Sequence, residues 1–97
     1  MVAYVVLAKF TEQGIRSAKD SPKRANAFRD MAKTFGVTVK HLVWTQGRYD
    51  VVCLIEAPDD SAAMTLNMNL GALGNVRTET LRAYSAEEMT KIVGNML

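Results

Sequence analysis

Apolar residues fall along this chain in two patterns. In one, nearly every position of a short run is apolar; in the other, apolar residues recur every three or four positions. Val2 to Phe10 is of the first kind and predicts a strand covered on both faces. Tyr49 to Glu56, with Val51-Val52-Cys53-Leu54-Ile55 at its centre, predicts a second such strand, and Val37 to Gln46 predicts the strand before it. The second pattern begins after Ser21-Pro22, a helix N-cap followed by proline at the first helical position. Ala25, Phe28, Ala32 and Phe35 then repeat at helical spacing with Met31 beside them, and Gly36 ends the run. A further helix is capped by Asp59, Asp60 or Ser61 and runs to about Leu73. Ala63, Leu66, Leu70 and Leu73 form its core stripe, Met64 and Met68 lie on a neighbouring stripe, and Gly74 stops it.

Three stretches remain. Thr11 to Ser21 is polar, loosened by Gly14 and Ser17; it predicts a short helical turn capped by Thr11, with Ile15 as its anchor to the core. Asn75 to Tyr84 predicts the last strand. Its Arg77, Glu79 and Arg82 suit a sheet edge, where charge discourages pairing with foreign strands. Ser85 and Glu88 form a capping box, followed by a helix with Met89, Ile92, Val93 and Met96 on one face. Its apolar tail through Leu97 is suited to dock on a partner chain.

The two strands around Gly47-Arg48 predict a hairpin. Glycine at the first central position suits a type II′ turn, which requires positive φ there. That register pairs Gln46 with Tyr49, Thr45 with Asp50, Trp44 with Val51, Val43 with Val52 and Leu42 with Cys53. It puts Asp50, Thr45, Val43, Val52 and His41 on one face, and Trp44, Leu42, Val51 and Cys53 on the other.

The order is β-α-β-β-α-β with a terminal helix, the ferredoxin-like plait: an α+β fold with one antiparallel four-stranded sheet and a single domain over 1–97. That topology puts the first and third strands at the centre, the two that are apolar on both faces. Both principal helices cover one face only. The other face leaves an apolar patch on the order of several hundred Å², worth roughly 25 cal/mol for each Å² buried. A homodimer or higher homo-oligomer, sheet facing sheet around a shared barrel-like core, is the expected solution.

Composition narrows the chemistry. Twelve Lys and Arg against ten Asp and Glu give a net charge of +2, which favours neither nucleic acid nor an anionic membrane. There is no reading helix, basic stripe or set of stacking aromatics, and no run reaches membrane-spanning length. The apolar start lacks a basic flank and a small-residue cleavage site, so it predicts a strand rather than a signal peptide. One Cys and one His exclude an intrachain disulfide framework and a structural zinc site, and point to a reducing cytoplasm. No metal or other cofactor is expected: Asp59 and Asp60 suit helix capping better than metal binding, and one His offers haem a single axial ligand at most. Arg16, Lys19, Lys23, Arg24 and Arg29 crowd the first helix. They form either a solvated outer face or an anion site, and the solvated face is the commoner arrangement.

Asp50 is out of place at the mouth of a Val/Ile-rich strand and needs hydrogen-bond donors. Turn amides or the Thr45 hydroxyl would satisfy it; so would a donor group on a ligand. His41, on the same hairpin face, is the one candidate acid or base. No Ser-His-Asp set, Cys-His pair or phosphate-cradling glycine loop is present.

The segments Thr45-Gln46-Gly47-Arg48-Tyr49-Asp50-Val51-Val52 and Gly74-Asn75-Val76-Arg77-Thr78-Glu79-Thr80-Leu81-Arg82-Ala83-Tyr84 resemble the GYD domain family, named for the residues standing here at Gly47, Tyr49 and Asp50. Asp20 to Ala25 and Glu56 to Asp60 match its pattern as well. The resemblance spans nearly the whole chain. It implies a ferredoxin-like fold of the dimeric α/β-barrel type and no established activity, because the family is of unknown function. A more distant similarity runs from Thr45 to Tyr84, to the effector-binding module of Lrp/AsnC-type regulators. There small amino-acid-like effectors bind between subunits near the corresponding hairpin; no helix-turn-helix precedes the module here.

Three functions follow as expectations. The first is a homo-oligomeric small-molecule-binding or sensing module, its site lined by Thr45, Gly47, Tyr49 and Asp50, with Arg77 and Thr78 joining across the interface. The second is a small cofactor-independent enzyme with His41 as acid or base. The third is a purely structural or assembly protein. Fold analogy by itself does not choose among them.

Overall fold

The computed structural model describes residues 1–97. Its elements are β1 (Val2–Phe10), α1 (Glu12–Arg16), a 3-10 turn (Ala18–Asp20), α2 (Ser21–Thr34), β2 (Thr38–Trp44), β3 (Val51–Ala57), α3 (Asp60–Ala72), β4 (Val76–Ala83) and α4 (Ala86–Val93). The sheet is antiparallel throughout, in the order β2-β3-β1-β4. The doubly apolar strands β1 and β3 therefore lie at the centre and the charged β4 at an edge, as the sequence predicts. This is the ferredoxin-like α+β arrangement.

The core lies under the helices. Val6, Ile55, Leu66 and Val37 are its largest fully buried side chains, joined by Tyr4, Phe28, Ala32 and Ala63. Along β1 and β3 burial alternates: Tyr4, Val6, Ala8, Cys53, Ile55 and Ala57 are buried, while Val5, Leu7, Val52 and Leu54 on the opposite face stay half-exposed. No helix covers that opposite face.

Local signals set most boundaries. Asp59 caps α3 by accepting from the Ala62 amide at 2.9 Å. Ser85 and Glu88 form the predicted reciprocal box on α4, at 3.1 and 3.0 Å. Two expectations at α1 and α2 need correction. Ser21 is already helical, because the 3-10 turn runs straight into α2 and the Ser21 amide bonds back to Ala18. Ile15 does not anchor the segment: it is 51% exposed, and the buried residue there is Gly14. Gly14 is buried because α1 lies directly against the loop before β4. A Cβ on Gly14 would stand 1.9 Å from the Asn75 carbonyl oxygen. The same contact carries bonds from the Thr11 amide to Asn75 O at 3.0 Å and from the Thr11 hydroxyl to Gly74 O at 2.6 Å.

Two core groups are costly to ionise. Burial pushes the Cys53 thiol from its ordinary 9.0 up to about 11, with Arg29 opposing. Burial first, then the hydrogen bond to Asp60, pushes the Tyr4 phenol from 10.0 up to about 12. Both folded values exceed the unfolded ones. The associated stability is therefore intact below pH 9 and is lost as pH rises through about 11 and then about 12. The melting temperature is expected to fall steadily above pH 9, and Cys53→Ala to flatten the first part of that fall. A melting temperature constant from pH 8 to 11 would contradict this.

Candidate functional site

The hairpin that carries Thr45, Gly47, Tyr49 and Asp50 keeps the predicted register but not the tight turn. Trp44 pairs with Val51, Val43 with Val52 and Leu42 with Cys53. The ladder then stops, and six residues, Thr45 to Asp50, form an open loop closed by one backbone bond, Thr45 N to Asp50 O at 2.9 Å. No backbone bond joins Gln46 to Tyr49. Gly47 does adopt positive φ, +98°, and space around it is open. Further along β2 His41 keeps this register opposite Leu54, a bulge at Lys40 then shifts it so that Val39 lies opposite Ile55, and Lys40 pairs with Glu56 at 3.7 Å.

Asp50 ends the pairing of β3 with β1. Its amide donates to Ala8 O at 2.9 Å, and its carboxylate Oδ2 accepts from the Phe10 amide at 2.8 Å. The side chain thus takes the acceptor position that the next β3 carbonyl would have filled, and the loop is freed from the sheet. The Thr45 hydroxyl donates instead to Tyr49 O at 2.6 Å. Asp50→Ala leaves the Phe10 amide without a partner and is expected to cost about 1.5–3 kcal/mol, as for a bond to a charged group. Asp50→Asn, which keeps an acceptor, loses less. Melting temperatures order the three proteins, and an unchanged Asp50→Ala would remove this role.

Tyr49 reaches across β1. Its hydroxyl donates to Glu79 Oε2 on β4 at 3.0 Å, and the Lys9 ammonium lies 5.8 Å from its ring centre. The bond to Glu79 raises the phenol's pKa. Lys9 and Glu79 were not singled out from the sequence, although β1–β4 pairing carries the signal: Lys9 is opposite Arg77, and Glu79 opposite Leu7. Arg77 turns round the sheet edge, its guanidinium 3.5 Å from Gly71 O at the end of α3. Thr78 pairs with Ala8 and is half-buried on the helix side. One chain therefore gathers Thr45, Gly47, Tyr49 and Asp50 at one end of the sheet, and leaves Arg77 and Thr78 apart from them. His41 stands exposed on the helix-free face, and no hydrogen bond links it to Asp50.

The match to known proteins covers this whole framework. The GYD domain matches residues 4–93. The chain belongs to the GYD domain family. One relative is the "Glutamine synthetase and cystathionine beta-lyase binding protein" of Thermus thermophilus, 28% identical over 90 residues, covering 92% of this chain and 95% of that protein. No solved structure matches. In this GYD domain no group of three or more His, Cys, Asp or Glu is placed to hold a metal ion, and no helix is long and apolar enough to cross a membrane.

A second feature of the GYD domain was not legible in the periodicity. Under Ser21 to Ala25 of α2 and Leu70 to Leu73 at the end of α3, the space above the sheet stays open as a cleft of about 360 Å³. Trp44 and Leu73, 45% and 60% exposed, stand at its mouth. The hint in the sequence is the small side chains of Ala8 and Ala25, both of which line the cleft.

Proposed function

We propose that this protein is a homodimeric binding module. Two copies pair through the helix-free face of the sheet, and the hairpin end with Thr45, Gly47, Tyr49 and Asp50 holds a small molecule beside that interface. One observation carries the pairing: the chain has too much surface for its mass. Its accessible area is 6551 Å², whereas a folded monomer of 10.7 kDa exposes about 5,500 Å². The excess of roughly 1,000 Å² is close to the ~800 Å² that each partner contributes to a standard interface. Shape agrees: the Cα radius of gyration is 14.6 Å, against ~12.5 Å for a compact domain of this length. Val5, Leu7, Val52 and Leu54 supply the apolar centre of the face. Helix α4 buries none of its own residues and exposes Met89, Ile92 and Val93, which suits it to lie on the second copy. Sedimentation velocity at micromolar concentration is expected to give a dimer; a stable single-chain species would refute the pairing.

A second reading, in which the bound molecule is a protein, is favoured by the name of the Thermus relative. On that reading the dimer docks on an enzyme such as glutamine synthetase or cystathionine beta-lyase. Biolayer interferometry against both purified enzymes tests it, and no binding to either at micromolar concentration leaves the small-molecule reading alone.

A further inference from the structure

We propose that the cleft above the sheet, on the side opposite the pairing face, binds an apolar monocarboxylate of about a dozen heavy atoms, its tail inside the cleft and its carboxylate on Arg24. This goes beyond the dimer and its hairpin site, which lie elsewhere on the fold.

Chemistry of the lining sets the class of ligand. Of 17 lining residues 14 are hydrophobic, which leaves Ser21, Arg24 and Asn75 as the polar groups. Asn75 and Arg24 both keep unused donors. The Asn75 side-chain oxygen already accepts from Gln13 at 2.9 Å, and its backbone oxygen from the Thr11 amide at 3.0 Å; its NH₂ has no partner. The Arg24 guanidinium is held in place by Ser17 O at 2.8 Å, the Ser17 hydroxyl at 3.0 Å and Gly14 O at 3.3 Å. Those bonds use three of its five donors, and no carboxylate lies within ion-pair distance. A fixed cation with free donors at the rim of an apolar cleft complements an anionic head on an apolar body. Lys19 and Lys23 add to the positive potential, and the one nearby ion pair is Arg16 with Glu12. No acidic side chain lines the cleft, so nothing there receives an ammonium and a zwitterionic amino acid fits poorly. Size follows from volume: 360 Å³, at about 30 Å³ for each water-sized atom, holds roughly a dozen heavy atoms.

Trp44 is the only tryptophan and stands at the mouth, so its emission reports occupancy directly. Decanoate and 4-phenylbutyrate, titrated into the full chain below their micellar range, are expected to shift Trp44 emission and saturate. Decanol and phenylalanine are expected to bind about tenfold more weakly or worse. Arg24→Gln should weaken decanoate about ten- to a hundredfold and leave decanol within about twofold. Ala25→Met fills the cleft from a half-buried helical position without removing a hydrogen bond, and should abolish binding of both, while far-UV circular dichroism stays native. That variant decides the matter if Arg24→Gln fails to fold. Equal affinity for decanol and decanoate would overturn the assignment of the carboxylate. Binding unaffected by Ala25→Met would place the ligand elsewhere, and no response at millimolar carboxylate would remove the site.

Discussion

Leu54→Arg is expected to turn the proposed dimer into a folded monomer. Leu54 sits at the centre of the helix-free face, with Val5 beside it on β1 and His41 on β2. In the paired state a guanidinium there loses its water and meets apolar side chains of the other copy. An unpaired buried charge costs several kcal/mol, so the dissociation constant is expected to rise by a factor on the order of 10³. In the single chain the same position is half-exposed, and an arginine can keep its head in water along an apolar stem. Circular dichroism should stay native while sedimentation equilibrium shows one chain. Moving the substitution by one residue reverses the outcome. Ile55 is fully buried under the helices, and Ile55→Arg is expected to prevent folding altogether. A Leu54→Arg protein that sediments like the unmodified one would show that copies do not meet on this face.

Gly14→Ala is expected to produce a large loss of stability. The added methyl would lie 1.9 Å from the Asn75 carbonyl oxygen, a backbone atom that accepts from the Thr11 amide and cannot rotate away, in a residue whose side chain is also held by Gln13. Either α1 lifts off the loop or the loop shifts with the start of β4. Overpacking that displaces backbone costs about 1–3 kcal/mol or more. At about 4–8 °C for each kcal/mol in a domain of this size, that is a fall in melting temperature of about 4–24 °C. Ile15→Ala, one residue along, should change stability by less than about 0.5 kcal/mol, since that side chain is largely in solvent. If the two variants melt alike, the close approach at Gly14 is not what holds α1 in place. The same substitution should also weaken carboxylate binding, because Gly14 and Ser17 are the residues that orient Arg24.

The legible parts of the candidate site were those with a local cause. Gly47 takes positive φ, and the register from Leu42 to Trp44 is the one implied by a loop centred on Gly47-Arg48, although the turn itself is wider. Asp50 needs donors by its place in an apolar strand, and it has one; yet the donor is the Phe10 amide, forty residues away, and not a group of the turn. Tyr49 meets Glu79 and Lys9 only because β1 separates the hairpin from β4 by one strand width. Ile15 was misread because a lone apolar residue in a polar stretch reports its own hydrophobicity, whereas burial there was decided by the distance between two backbones.

What the sequence determined by itself was the order of elements, their caps, the central place of β1 and β3, and the apolar character of the face without helices. All of these arise from residues a few positions apart or from the two-residue alternation of a strand. Tertiary structure alone decided where long side chains end and where space is left over. Arg24 became a fixed cation at a rim by bonding to carbonyls of α1, and the cleft exists because the helices close over one half of the sheet and leave the other half open. Volume is a property of how layers meet, and no spacing along the chain encodes it.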